Sequence, residues 1–474
     1  MSATRYDAIV IGSGLGGMTA ARRLAVRGAR VLLVEQHTQL GGLATYFRRR
    51  GHIFDVALHG FPIGMKKSFR KYWGREFAER VTQVKRIRFD NPQFRVETTF
   101  DTADFTRLLT EFFRVNPAAV EAFFAHVNGM NYYDDRDETT EELFSRFFPG
   151  RTDVWRFLME PITYANGSTL AEPAVSYGIV FSNFMSRGVY TFLGGTETMA
   201  AMMRSALEEA GVEIWTGRTA ERILIDRGRV AGAVIDGASV DAPVVVSNAN
   251  LLRTVRDLAG LEQFSAGFCD GIRSVELSNS SCQVYIGIRA GESIPNIGDL
   301  LFVSSHPVFD SDALCSREIS SRTYSVYYPG LRPGSDRYTV VASMNARYED
   351  WAGMEREAYR AGKQQLIDDA LAALDPFVPG IETKVDYTEA ATPLTFARYT
   401  LHEKGASFGT KFDGLEYSMA LHSEISGLFH TGSVGIIMSG WLGAMNYGVI
   451  TANEAEKYLA LNAKKQQEEL YGRA

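Results

Sequence analysis

The sequence predicts an α/β fold: a Rossmann-type domain, discontinuous along the chain, with an α+β substrate domain inserted into it. Three observations predict this. Within Tyr6–Glu35 an apolar run, a glycine-rich turn, an alanine-rich helix and a second apolar run follow one another. A glycine pair, helix and strands of the same kind return after residue 190, and an uncharged glycine-rich segment follows near residue 430. The stretches between them, 61–189 and 271–399, carry aromatic helices and alternating strands instead. A length of 474 residues, about three domain lengths, accommodates such a plan.

Asp7-Ala8-Ile9-Val10-Ile11 is a short buried strand, Gly12-Ser13-Gly14-Leu15-Gly16-Gly17 a turn, and Met18 to Val26 a helix. Val31 to Val34 is the next strand, ending in Glu35. Gly12 permits the tight turn, Gly14 lets backbone approach a pyrophosphate, and Gly17 lets helix and strand pack closely. The helix N-terminus offers free N–H groups to phosphate. Glu35, 18 positions after Gly17, is placed to accept both ribose hydroxyls. Gln36 to Thr45 follow, with the pair Gly41-Gly42 bringing more bare backbone to the same pyrophosphate. An acid followed by such a pair resembles the second signature of FAD-binding oxidoreductases of the glutathione-reductase-like superfamily, so FAD is the expected cofactor.

The later pieces extend the same domain. Gly194-Gly195 precedes a helix from Thr196 to Ala210, then come a strand at Val212–Trp215, a hairpin from Ile223 to Val234, and a strand Val244–Ala249 containing Asn248. The uncharged segment His430–Asn453 contains Gly432 and Ser433; its glycines, hydroxyls and asparagines suit a buried loop better than a membrane span. The expected domains are 1–60, 190–270 and 400–474 for FAD, and 61–189 with 271–399 for substrate. Residues 61–189 read as mostly helical, for example Thr106–Val115 and Ala118–Val127, and Glu355–Leu374 as a polar helix.

At this point the chain resembles the phytoene desaturase, carotenoid isomerase and retinol saturase group. The resemblance covers nearly the full length and rests on DAIVIGSGLGGMTAA, EQHTQLGGLAT, GHIFDVALH, GVYTFLGGTETM, VVVSNAN, ATPLTFARYT and TGSVGI…SGWLGA. It implies an FAD-dependent oxidoreductase that desaturates, saturates or isomerises C–C bonds of a hydrophobic polyene or isoprenoid-like substrate. It also implies cofactor contacts from Gly12 to Gly17, Glu35, Gln36, Gly41, Gly42, Thr45, Asn248, Gly432 and Ser433. Where the family usually closes with Gly-Asp, this chain has Gly432-Ser433, a hydroxyl in place of a carboxylate. His59 is the candidate polar group beside the flavin, with a structural loop histidine as the equal alternative.

Composition narrows the partners. Lys and Arg number 50 against 56 Asp and Glu, a net charge of −6, which argues against nucleic acid. Residues 1–95 nevertheless hold 18 basic against 6 acidic residues, a net of +12, leaving −18 for the rest. Three cysteines without CxxC spacing fit a reducing compartment, and eight histidines show no metal spacing. Asp134–Glu138 reads as a solvated acidic loop rather than a magnesium site. The expected location is cytoplasmic, with peripheral contact to the inner face of a membrane. Residues 61–81 supply the reason: Lys66, Lys67, Arg70, Lys71 and Arg75 interleave with aromatics, as on an anionic lipid surface, or as on a helix packed on its own domain. Tyr132, Tyr133, Tyr177, Phe181, Phe184, Tyr190, Tyr324, Tyr327 and Tyr328 are read as core, or as the wall of an apolar tunnel. Two alternatives accompany this reading: an amine or alcohol oxidase on the same scaffold, and a non-redox lipid carrier like the Rab GDP-dissociation inhibitors. With one dinucleotide fingerprint, the electron acceptor stays open among oxygen, a quinone and a redox partner.

Overall fold

The computed structural model describes residues 6–57, 59–131, 134, 137–182, 187–316, 321–332 and 335–471. Its first layer is a parallel sheet. Strand β1 (Ala8–Ile11) and strand β2 (Val31–Glu35) flank each other with Ile9 opposite Leu32, joined by helix α1 (Leu15–Val26). The full order is Glu213–Thr216, β2, β1, Val245–Ser247, Leu428–His430, so three distant segments build one sheet. Every residue of β1 and β2 is buried, as continuous apolar runs covered on both faces require.

The second layer is a seven-stranded mixed sheet ordered Val385–Ala391, Ser280–Ile288, Thr339–Ala346, Ser321–Tyr327, Leu300–Ser304, Ile87–Asp90 and Arg95–Thr98. It draws strands from both inserted segments. Alternate residues sort to opposite faces. Val284, Ile286, Tyr324, Val326, Val340 and Ala342 pack on Leu366, Ala370 and Leu374 of the helix Arg356–Leu374. The other face turns toward the first layer.

Several expectations change. Residues 61–189 are mostly helical, as expected, but among the described residues they also contribute four strands: Phe61–Pro62 and Val81–Val84 pair with Val189–Phe192 in a small sheet, and Ile87–Asp90 and Arg95–Thr98 join the large one. Thr106–Val115 is an α-helix at Thr102–Arg107 followed by a wider π-helical turn at Leu108–Phe112. The segment His430–Asn453 starts at the end of the strand Leu428–His430 and is loop, with one 3-10 turn at Ile436–Met438, only up to residue 439; from Gly440 it is helix, running to Tyr471. The helix forms despite its glycines because they permit close approach: a Cβ on Gly448 would lie 2.3 Å from the Gly16 oxygen.

The aromatic segment 61–81 turns inward. Phe61, Phe69, Trp73 and Phe77 are each at most 2% exposed, with Phe61 stacked on Trp441. At about 1.5–3 kcal/mol for each buried large side chain, these rings are committed to the core, which corrects the expectation that they insert into lipid. Lys67, Arg70 and Lys71 remain exposed on the helix Gly64–Tyr72. Among the described residues no helix is long and apolar enough to cross a membrane. Tyr177, Phe181, Tyr324 and Tyr327 are core side chains. Tyr132, Tyr133 and Phe184, and Asp135 and Arg136 of the acidic run, lie outside the described residues. The three cysteines are buried and unpaired.

Candidate functional site

A cavity of about 830 Å³ runs between the two layers, from the α1 N-terminus to the polar face of the large sheet. Its first end is built from the glycine turn. Gly12, Ser13, Gly14, Leu15 and Gly16 line it together with Glu35, Gln36, Gly41, Gly42 and Thr45. The two glycine segments touch: Gly14 and Gly41 form a parallel bridge, and a Cβ on Gly42 would stand 3.1 Å from the Gly14 Cα. Glu35 is 5% exposed. One of its oxygens accepts from the Ser13 N–H at 2.9 Å and the Ser13 hydroxyl at 2.6 Å; the other accepts from the His37 N–H at 2.9 Å. The second of these oxygens keeps lone-pair capacity for a ribose hydroxyl.

Asn248 also lines the cavity, and its side chain accepts from the Gly17 N–H at 3.0 Å. It therefore fastens the turn as well as facing the cavity. Gly17 does not line the cavity; its place is helix–strand contact, since a Cβ there would lie 2.1 Å from the Gly12 oxygen. Gly432 is likewise packed away, against the Ala249 oxygen and the His430 ring, whereas Ser433 faces the cavity. Thr431, which the sequence did not single out, holds a buried hydroxyl with no partner among the described residues, beside Gly16.

These residues fit an FAD pyrophosphate. The N-cap of α1, Gly14, carries no side-chain hydrogen bond and the first turn no acid, so while Asn248 takes the Gly17 amide, Leu15 and Gly16 of that turn line the cavity with their amides available to phosphate. A second helix, Gly440–Tyr471, also starts at the cavity: Ser439, Gly440, Trp441 and Leu442 line it. Its positive end sits on the same wall as Ser433, where no carboxylate stands.

His59 lies in the middle of the cavity. Its Nδ1 meets the Ser325 hydroxyl at 2.6 Å and its Nε2 the Ser343 hydroxyl at 2.9 Å, the two serines standing on neighbouring strands. Burial without a charged partner pulls its pKa down to about 4. The ring is thus neutral near pH 7, donating to one serine and accepting from the other. Its limited exposure is to the cavity rather than bulk water, which is why desolvation dominates. Both nitrogens are thus engaged by serine hydroxyls of the wall.

The far end of the cavity has two surfaces. Phe100, Ile162, Ile179, Val180 and Phe302 make an apolar arm. Gln283, Thr323, Ser343 and Asn345, on three adjacent strands, make a polar floor. Sequence reasoning missed this floor. Its signal was the period-two spacing of polar residues in Ser281-x-Gln283, Ser321-x-Thr323-x-Ser325 and Ser343-x-Asn345.

The model of the family described as flavin containing amine oxidoreductase matches residues 15–385. The chain is 24% identical to the chloroplastic prolycopene isomerase of Arabidopsis thaliana over 446 residues, covering 84% of this chain and 73% of that one. It is 21% identical to the human all-trans-retinol 13,14-reductase over 532 residues, covering 95% and 85%. Among solved structures, an oxidoreductase from Methanosarcina mazei superposes with a TM-score of 0.66 at 17% identity, covering 94% of this chain and 99% of that one. With FAD the cofactor these matches support, the lipid-carrier alternative falls away, and the chain is an FAD-dependent oxidoreductase belonging to the flavin containing amine oxidoreductase family.

Proposed function

We propose that the protein transfers hydride between FAD and a C–C or C=C bond of a hydrophobic, polyene or isoprenoid-like substrate. The observation that carries this reading is the continuity of one cavity from the glycine turn to the apolar arm at Phe100, Ile162 and Phe302. FAD, when bound, supplies the hydride acceptor or donor. The protein's part is to hold the pyrophosphate at the α1 N-terminus and the ribose at Glu35, and to enclose the reacting bond away from water. The relatives are named for a carotenoid isomerisation and a retinol reduction, which supports a polyene substrate and leaves the direction to experiment. On this reading residues 1–60, 190–270 and 400–474 form the FAD domain, and 61–189 with 271–399 the substrate domain.

The test is anaerobic mixing of the FAD-loaded protein, oxidised and reduced in turn, with phytoene, prolycopene and all-trans-retinol. The expected result is a change of flavin redox state, or a change of polyene geometry by chromatography, with at least one of them. Reduction of the flavin by simple amines, with no response to any polyene, would replace this reading by the amine oxidase alternative.

A membrane contact belongs to the same proposal, now in a purely electrostatic form. The helix Gly64–Tyr72 abuts the cavity wall, where a Cβ on Gly64 would touch Leu442, and it presents Lys67, Arg70 and Lys71 outward. Polybasic segments gain about 1 kcal/mol per cation at an anionic surface. Co-sedimentation with phosphatidylserine vesicles is expected at low salt and should disappear in the Lys66→Glu/Lys67→Glu/Arg70→Glu/Lys71→Glu variant. Pelleting that is equal in both proteins removes this face from consideration.

A further inference from the structure

Resting on that reading of the cavity, we infer that the substrate is not a bare hydrocarbon: it carries an uncharged hydroxyl that docks on Gln283 and Asn345. The inference starts from strand register. In the large sheet Gln283 stands opposite Ser343, and Ser343 opposite Thr323, so the three form one polar row across three strands. Asn345, two residues beyond Ser343, occupies the same face one row on, opposite Ser281. Gln283 and Asn345 are only 4% and 3% exposed, yet both line the cavity.

Each amide makes one side-chain hydrogen bond to protein. The Gln283 oxygen accepts from the Tyr285 hydroxyl, and the Asn345 nitrogen donates to the Thr163 carbonyl. The Gln283 nitrogen and the Asn345 oxygen have no protein partner among the described residues, and neither is sealed off from the cavity. A buried donor and a buried acceptor therefore face one space from diagonal positions on one sheet face. A hydrocarbon filling that space would strand both groups, which is the costly case for a buried amide.

Charge narrows the ligand further. The row holds no Lys, Arg, Asp or Glu. The acid on the same face, Glu389, is already engaged by the Tyr387 hydroxyl at 2.5 Å and Arg49 at 3.6 Å. Among the described residues of this floor a carboxylate would meet no free cation and an ammonium no free anion, and either ion would be desolvated without compensation. A hydroxyl both donates and accepts, which matches the pair.

The experiment follows flavin absorbance of the oxidised holoenzyme under anaerobic titration with geranylgeraniol, geranylgeranoic acid and the matching hydrocarbon without oxygen. The alcohol is expected to bind about tenfold or more tightly than the other two, because a site built to bond a hydroxyl discriminates against analogues lacking it. In Gln283→Met and Asn345→Leu the alcohol should fall to the level of the hydrocarbon, while hydrocarbon binding stays within about twofold of wild type. Equal binding of alcohol and hydrocarbon, or an alcohol preference that survives both substitutions, overturns the inference while leaving the proposed function intact. Folded variants that lose FAD also overturn it, by assigning these amides to the cofactor. Failure of all three ligands to bind overturns both readings. Should the variants not fold, the wild-type series alone decides.

Discussion

Gly17→Ala is expected to yield a protein that folds poorly and retains less than about a tenth of the wild-type FAD. The added Cβ would lie 2.1 Å from the Gly12 oxygen and 3.0 Å from the Asn248 Cβ. Neither neighbour can retreat. The Gly12 N–H is bonded to the Val34 oxygen at 2.8 Å, and the Asn248 N–H to the Ile11 oxygen at 2.7 Å, so both are fixed in the parallel sheet. Overpacking against rigid backbone costs about 1–3 kcal/mol or more, and here the displaced element is the turn that would hold the pyrophosphate. The ratio of flavin to protein absorbance after reconstitution measures the effect. Gly267→Ala is the control: its Cβ would meet nothing within 4 Å, on the helix Ala266–Ser274, and should leave FAD content unchanged. Full FAD content in Gly17→Ala would show that the turn relaxes in a way this packing forbids.

Asp55→Ala should cost about 3–5 kcal/mol of unfolding free energy, read from urea denaturation of the holoprotein. Asp55 is 1% exposed and Arg332, which binds it, 5%. The same carboxylate accepts from the Thr196 N–H at 2.8 Å and from the Thr196 hydroxyl, capping the helix Gly195–Glu209. Removing it strands a buried guanidinium, two of whose nitrogens already lack partners among the described residues. The double variant Asp55→Leu/Arg332→Met should be less damaged than Asp55→Ala, because exchanging both charges for apolar groups removes the unpaired ion. If the double variant is the worse of the two, the carboxylate's bonds to Thr196 outweigh its pairing with Arg332. This contact ties the hairpin Tyr46–Asp55 to the loop at Arg332 and the helix Gly195–Glu209, three parts of the chain far apart in sequence.

The first end of the cavity was legible in the sequence because local geometry specifies it. A strand, a glycine turn and a helix within 35 residues have few ways to pack, and Glu35 falls at the end of β2 by spacing alone. The motif places Gly17 at close helix–strand packing, and a Cβ at that position would lie 2.1 Å from the Gly12 oxygen. The return of sheet strands at Glu213–Thr216 and Val245–Ser247 was visible because each is a short apolar run, whereas the strand Leu428–His430, beside a segment read as loop, was not. What was less legible depended on partners remote in sequence. The cations and rings of 61–81 alternate in a way that suits lipid or a protein core equally, and only Trp441 and Phe192 decide for the core.

The sequence by itself determined the α/β class, the glycine-turn end of the cavity and the enzyme family, because those depend on contiguous residues whose spacing is fixed by backbone geometry. Tertiary structure alone decided that His59 is braced neutral between two serines, that Gly432 packs away from the cavity, and that Gln283 and Asn345 share a polar floor. Those outcomes depend on strand register between segments tens to hundreds of residues apart. A shift of one residue would send Gln283 or Asn345 to the opposite face of its sheet.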